Sequence, residues 1–165
     1  MNKILVGLAA LTFASATTAS ASTYIGGSVG SGGAVHYQTD LSSGSAVRYS
    51  LNLYATNFNF GQLSVGASVD YLTDLNNTNI NVNTPNTTFG GLTPYYGFGL
   101  GAGVGVGSVT GVSVYPHVLG GIKYQLSDPL SIFGELDAGI NVAVSNAGTG
   151  VGFGSNARIG VMYKF

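Results

Sequence analysis

At 165 residues the chain has room for one domain. Only 7% of it is Asp, Glu, Lys or Arg, against about 25% in ordinary soluble domains, so much of its surface is not made for water. The formal charge of −1 comes with no basic cluster, which excludes binding to nucleic acid through its phosphates; the absence of cysteine excludes disulfides and thiolate metal centres.

Residues 1–21 read as an export signal. Lys3 gives a short positive start, Ile4 to Ala14 an apolar run, and Ala19-Ser20-Ala21 a small-x-small cleavage site. The apolar run is too short to cross about 30 Å of hydrocarbon. The expected mature domain is residues 22–165.

From there a period of two organises the chain, the mark of strands with one apolar face. Eight strands are predicted, near 23–38, 45–56, 60–72, 78–84, 88–106, 112–126, 129–145 and 150–165. The first is weak, because Ser31-Gly32-Gly33 bends or interrupts it. In the second, Val47, Tyr49, Leu51 and Leu53 alternate with Arg48, Ser50 and Asn52. In the third, Leu63, Val65, Ala67, Val69 and Tyr71 alternate with Gln62, Ser64, Ser68 and Asp70. The fourth, Thr78 to Asn83, is short and Asn-rich, and competes with one long loop from Thr73 to Phe89. Parity favours the strand, since single-chain bacterial barrels have an even count and both termini in the periplasm. Asn57-Phe58-Asn59 and Ser127-Asp128-Pro129 then become tight periplasmic turns.

The fifth strand carries glycine at every second position from Gly97 to Gly107, with Phe98, Leu100, Ala102, Val104 and Val106 between. A helix repeats every 3.6 residues and does not fit this alternation. Each mid-helix glycine would also cost about 1 kcal/mol relative to alanine. No helix follows the GxGxxG-like spacings, so they do not make a phosphate loop. The sixth strand sets Val112, Val114, Val118, Ile122 and Tyr124 against Ser113, Tyr115, His117 and Lys123; Pro116 lies near its end, where a bulge is tolerable. The seventh sets Leu130, Ile132, Leu136, Ala138, Ile140 and Val142 against Ser131, Glu135, Asp137 and Asn141. The eighth sets Val151, Phe153, Ile159, Val161, Tyr163 and Phe165 against Gly152, Gly154, Asn156, Arg158 and Met162.

The second face decides which way the strands turn. It is rich in Gly, Ser and Asn and holds few charges. Turned inward, it fills the narrow interior of an eight-stranded barrel. The expected fold class is all-β, an eight-stranded antiparallel up-and-down transmembrane β-barrel. On this threading Tyr37, Tyr49, Tyr71 and Phe153 face lipid near the outer rim, and Tyr96, Tyr124, Tyr163 and Phe165 toward the periplasm, as two aromatic girdles.

The ending Ile159-Gly160-Val161-Met162-Tyr163-Lys164-Phe165 resembles the C-terminal strand of outer-membrane barrels, with an aromatic third from the end and a terminal Phe. In size and pattern the mature chain is similar to the small OmpA- and OmpX-like barrels. That resemblance implies a bacterial outer-membrane location reached through the periplasm, contact with outer-membrane lipid, and recognition of Tyr163 and Phe165 by the barrel-assembly machinery. The glycine stripe and the short fourth strand depart from the usual pattern.

Six charges fall on the inner face: Arg48, Asp70, Lys123, Glu135, Asp137 and Arg158. A three-residue turn at Asn57-Phe58-Asn59 sets Arg48 opposite Ser68 and diagonal to Asp70. A four-residue loop at 146–149 sets Asp137 opposite Arg158, and Lys123 comes diagonal to Glu135. Unpaired charges there would cost several kcal/mol, so a closed, salt-bridged interior is expected. The sequence points to no catalytic residue, cofactor or metal site. His36 and His117 lack an assigned nucleophile and orienting group, and they lack spaced carboxylate partners for a metal. The expectation is a structural or surface-interaction barrel presenting loops near Asp40 and Asp74. The alternatives are a narrow pore for small or apolar solutes, suggested by the glycine wall, and a lipid-modifying enzyme.

Overall fold

The computed structural model describes residues 21–42, 44–55, 62–75, 80–84, 87–107, 110–146 and 148–165. The expected export signal lies, but for Ala21, outside the described residues. The strands are β1 (Thr23–Gly30), β2 (Gly33–Ser42), β3 (Ser45–Ala55), β4 (Gln62–Asp74), β5 (Ile80–Thr84), β6 (Thr87–Gly107), β7 (Gly111–Gln125), β8 (Leu130–Ser145) and β9 (Gly148–Lys164).

Eight of them close into a ring. The sheet runs β4-β3-β2-β1-β9-β8-β7-β6, and β4 pairs back onto β6. At one seam β1 and β9 align from Tyr24↔Lys164 to Gly30↔Arg158. At the other, β4 and β6 align from Gln62↔Gly107 to Asp74↔Tyr95. Every pairing is antiparallel. The ring is an eight-stranded up-and-down barrel and leaves no open edge in its wall.

The number of wall strands is the expected one, but two members differ. Residues 23–38 are not one strand. They turn back at Gly30-Ser31-Gly32, and β1 and β2 form a hairpin with Val29 opposite Gly33, a tight three-residue connection that glycine permits. The expected fourth strand contributes β5, which among the described residues pairs with the start of β6 alone and stands outside the ring.

The extra reversal changes which end of the barrel β2, β3 and β4 reach. Asp40 and Asp74 lie at the same end as the termini, where Asp40 N–H donates to the Ser22 carbonyl and Asp74 N–H to the Gly44 carbonyl. Loops near these residues therefore do not face the side opposite the termini. The connection after β3, which includes the expected turn at residues 57–59, joins strands at the far end; those residues lie outside the described set. The connection from Leu126 to Pro129 stays at the terminal end, where Lys164 N–H donates to the Pro129 carbonyl.

Tyr37, Tyr49 and Tyr71 move with their strands. Tyr37 pairs with Ile25, which pairs with Tyr163, and Tyr49 pairs with Tyr37. All three join the terminal-side girdle, while Phe153 remains in the far half opposite Ile140. Pro116 needs no bulge. The β6–β7 register passes through Leu100↔Pro116 without a shift, and β7 and β8 keep one register on either side of it.

Burial is inverted relative to a soluble protein. Val118, Leu136, Val151 and Phe153 are 63%, 67%, 73% and 79% exposed, whereas His36, Arg48 and Asp70 are between 0% and 2% exposed. The interior also holds an apolar layer that the sequence did not announce. Ala46, Leu72, Tyr95 and Leu119 form a buried cluster near the terminal end, and Phe133 and Met162 are buried too.

Candidate functional site

The centre of the interior is a closed ring of two guanidinium groups and two carboxylates. Arg48 on β3 is the direct cross-strand partner of Asp70 on β4, and Glu135 on β8 that of Arg158 on β9. The two pairs meet across the barrel. Arg48 Nη2 donates to Glu135 Oε2 at 2.7 Å and to Oε1 at 2.9 Å, and also to Asp70 Oδ2 at 3.3 Å. Arg158 Nε donates to Glu135 Oε1 at 2.6 Å, its Nη2 also contacts that oxygen, and Nη2 stands 3.9 Å from Asp70 Oδ2. These four side chains are at most 10% exposed. Charges so far from water are tolerated because each is matched and hydrogen-bonded.

Neighbouring side chains complete the plug. The Tyr95 hydroxyl donates to Glu135 Oε2 at 2.8 Å. His117 places Nε2 3.0 Å from Asp70 Oδ1 and stacks on the Tyr115 ring at 4.9 Å. The Arg48 guanidinium lies over the Phe133 ring, 5.7 Å from its centre, close enough for a cation–π contribution. Beside it, His36 sits between two hydroxyls, Ser28 Oγ on Nε2 and Ser50 Oγ on Nδ1, each at 2.8 Å.

All six predicted inner charges point inward, but three partners differ from the expected ones. Arg48 faces Asp70 directly and not Ser68. Asp137 lies opposite Asn156, and Arg158 is given to Glu135. Lys123 bonds Asp74 at 2.6 and 2.8 Å, near the terminal end, and not Glu135. Connection length explains the first two. The β8–β9 hairpin closes at Ser145↔Gly148, tighter than a four-residue loop, and β3 pairs with β4 up to Ala55↔Leu63. A slip of two residues keeps each side chain on its face and changes only what it meets. Tyr163 and Phe165 lie on the outer surface, 51% and 69% exposed, next to the β1–β9 seam.

The glycine wall is only partly open. A methyl group added at Gly99 would strike Asp70 Oδ1 and lie 2.7 Å from His117 Nε2, so the bare backbone there is what admits the plug. At Gly101 an added carbon would reach only ordinary contact distances of 3.6 Å to Tyr115. Space remains on both sides of the plug. A cavity of about 300 Å³ lies toward the far end, bounded by Asn52, Ser68, Gly101, Tyr115, Asp137 and Asn141. A second, of about 220 Å³, lies toward the terminal end between Tyr24, Asp40, Arg48, Lys123 and Phe133.

A closed ring of eight up-and-down strands, apolar outside and ion-paired within, defines the class of small transmembrane β-barrels of the outer-membrane type. The crystal structure of Neisserial surface protein A (NspA) has this fold; it is 16% identical, with a TM-score of 0.51 over 88% of this chain and 94% of that one. The KdgM porin in complex with disordered oligogalacturonate is 15% identical, with a TM-score of 0.30 over 87% of this chain and 99% of that one. The likeness to NspA is of fold alone. No protein-family model and no curated protein matches the chain.

Proposed function

We propose that the protein is a non-enzymatic barrel of the bacterial outer membrane with a closed interior and a structural or surface-interaction role. The observation that carries this reading is the Arg48–Asp70–Glu135–Arg158 ring, which stands between two cavities, Arg158 bordering one and Arg48 the other. Export by the N-terminal segment puts the chain in the periplasm, and Tyr163 and Phe165 offer the barrel-assembly machinery its C-terminal strand. Both termini then stay in the periplasm, and the far end, with Ser31, Gly32 and Asn146, faces outward.

Against catalysis, the His36 ring meets only hydroxyls at its two nitrogens, and His36 is 0% exposed. An activated nucleophile needs a base oriented by a third group and a substrate that can reach it.

Two measurements test the reading. On a gel, unheated membrane extract should run differently from heated extract, as folded barrels of this kind do. In planar bilayers the purified wild type should give no steady channels. Steady open channels would move the assignment to the narrow pore, which the two flanking cavities favour.

A further inference from the structure

We propose that the far-side cavity is a binding site for a small organic cation bearing an ammonium group, with Asp137 as its counter-ion. The argument begins with the charges. Asp70 and Glu135 are both engaged by Arg48 and Arg158, so those four groups are neutral together, and His117, which also borders the cavity, is held on Asp70. Asp137 is left over. It is 7% exposed, and among the described residues it makes no ion pair.

Both hydrogen bonds that Asp137 accepts fall on one oxygen. The Tyr115 hydroxyl and Asn156 Nδ2 each lie 2.8 Å from Oδ1. Among the described residues no fully buried side-chain polar atom lacks a partner. Oδ2, which takes no donor, is therefore not fully enclosed, and Asp137 lines the cavity. A carboxylate facing a cavity with no cation beside it is a counter-ion for a positively charged ligand.

The cavity suits an organic cation better than a bare ion. Its volume is about 300 Å³, whereas one water takes up about 30 Å³. The Tyr115 ring bounds it on one side, an aromatic surface of the sort that attracts ammonium groups. Asn52, Ser68 and Asn141 supply neutral hydrogen-bonding groups. Arg158 also reaches the cavity, but its charge is spent on Glu135 and Asp70, which weakens its pull on an anion. Gly101 leaves open a part of the cavity that a larger side chain would occupy. This site goes beyond the closed-interior reading and does not depend on it: a barrel that conducts would fail the bilayer test and could still bind.

The test is calorimetric titration of the refolded full barrel in detergent with 1,4-diaminobutane, glucose and succinate. The diamine should bind, while glucose and succinate should not. Asp137→Asn retains the Oδ1 acceptor and loses the charge, so it should weaken diamine binding about 30-fold or more. Gly101→Val leaves Asp137 untouched and takes up cavity space beside Tyr115 and Ser68, and it should weaken binding. Each variant is first shown to be folded by its heat-dependent gel shift. No diamine binding by the wild type, unchanged binding in either folded variant, or equal binding of glucose would overturn the proposal.

Discussion

Glycine and the large inner side chains of this barrel occur as complementary neighbours. Tyr95 pairs with Gly121, Phe133 with Gly160, Met162 with Gly26, and His117 with both Gly99 and Gly139. At Gly121 and Gly160 an added carbon would lie 2.6 and 2.5 Å from the Tyr95 and Phe133 rings. The interior of an eight-stranded barrel has room for one layer of side chains, so a large residue on one strand needs bare backbone on the next. Gly99 is the sharpest case, because the Asp70–His117 contact lies directly on it. We expect Gly99→Ala to destabilise the barrel by about 1–3 kcal/mol, the usual range for overpacking. Gly101→Ala, two residues along on the same face, should change stability little, since its new carbon meets only ordinary contacts. Urea unfolding in lipid vesicles compares the two. The inward direction of the six charges was legible because facing depends only on odd or even position. Their partners were not, because those depend on turn length. Leu72, Leu119 and Phe133 broke the apolar–polar alternation without showing why. Their place opposite Gly97 and Gly160 becomes visible only with the register.

Elements were legible where alternation ran long and obscure where it was short. β7, β8 and β9 have 15, 16 and 17 residues and fall close to their expected bounds. β1 and β2 have 8 and 10 residues. Joined by three small residues, Gly30, Ser31 and Gly32, they pass for one strand in a sequence, since every cross-strand pair then joins two even or two odd positions and the alternation runs on unbroken. β5 has 5 residues, and only parity places it in the wall on sequence grounds. Splitting the first strand supplies the even number that β5 was needed for. Deleting residues 78–84 therefore tests the ring directly. With β5 outside the wall, the deleted protein should still refold and keep its heat-dependent gel shift. Loss of the folded band would mean that the segment contributes to closure. The central plug makes the opposite prediction, because it ties β3 and β4 to β8 and β9 across the interior. Glu135→Ala leaves Arg48 and Arg158 facing each other with Asp70 alone. We expect a loss of about 3–5 kcal/mol, the range for removing one partner of a buried ion pair. In planar bilayers we also expect channel openings that the wild type lacks.

For the molecule as a whole, the outer surface sets the physical requirement that the interior answers. Strands cross hydrocarbon only when every backbone group is paired within a closed wall, and both seams meet that condition here. The wall is then apolar over its outside, with Val118 and Leu119 making the contrast on adjacent positions: Val118 is 63% exposed and Leu119 5%. In water a substitution such as Val118→Arg would place a charge on an exposed site and change stability by a fraction of a kcal/mol. In a bilayer an arginine facing lipid at the midplane costs about 2–4 kcal/mol, falling toward about 0–1 kcal/mol near the interfaces. Val118 pairs with Phe98 and Ala138 in the body of the wall, so we expect the larger penalty there. Val151, three residues into β9 and 73% exposed, lies close to the far rim and should show the smaller one when replaced by arginine. Urea unfolding of both variants in phosphatidylcholine vesicles reads the difference. A penalty at Val118 no larger than at Val151 would mean that the exposed apolar surface is not held at depth in hydrocarbon, and the inverted burial of the barrel would then require another solvent to explain it.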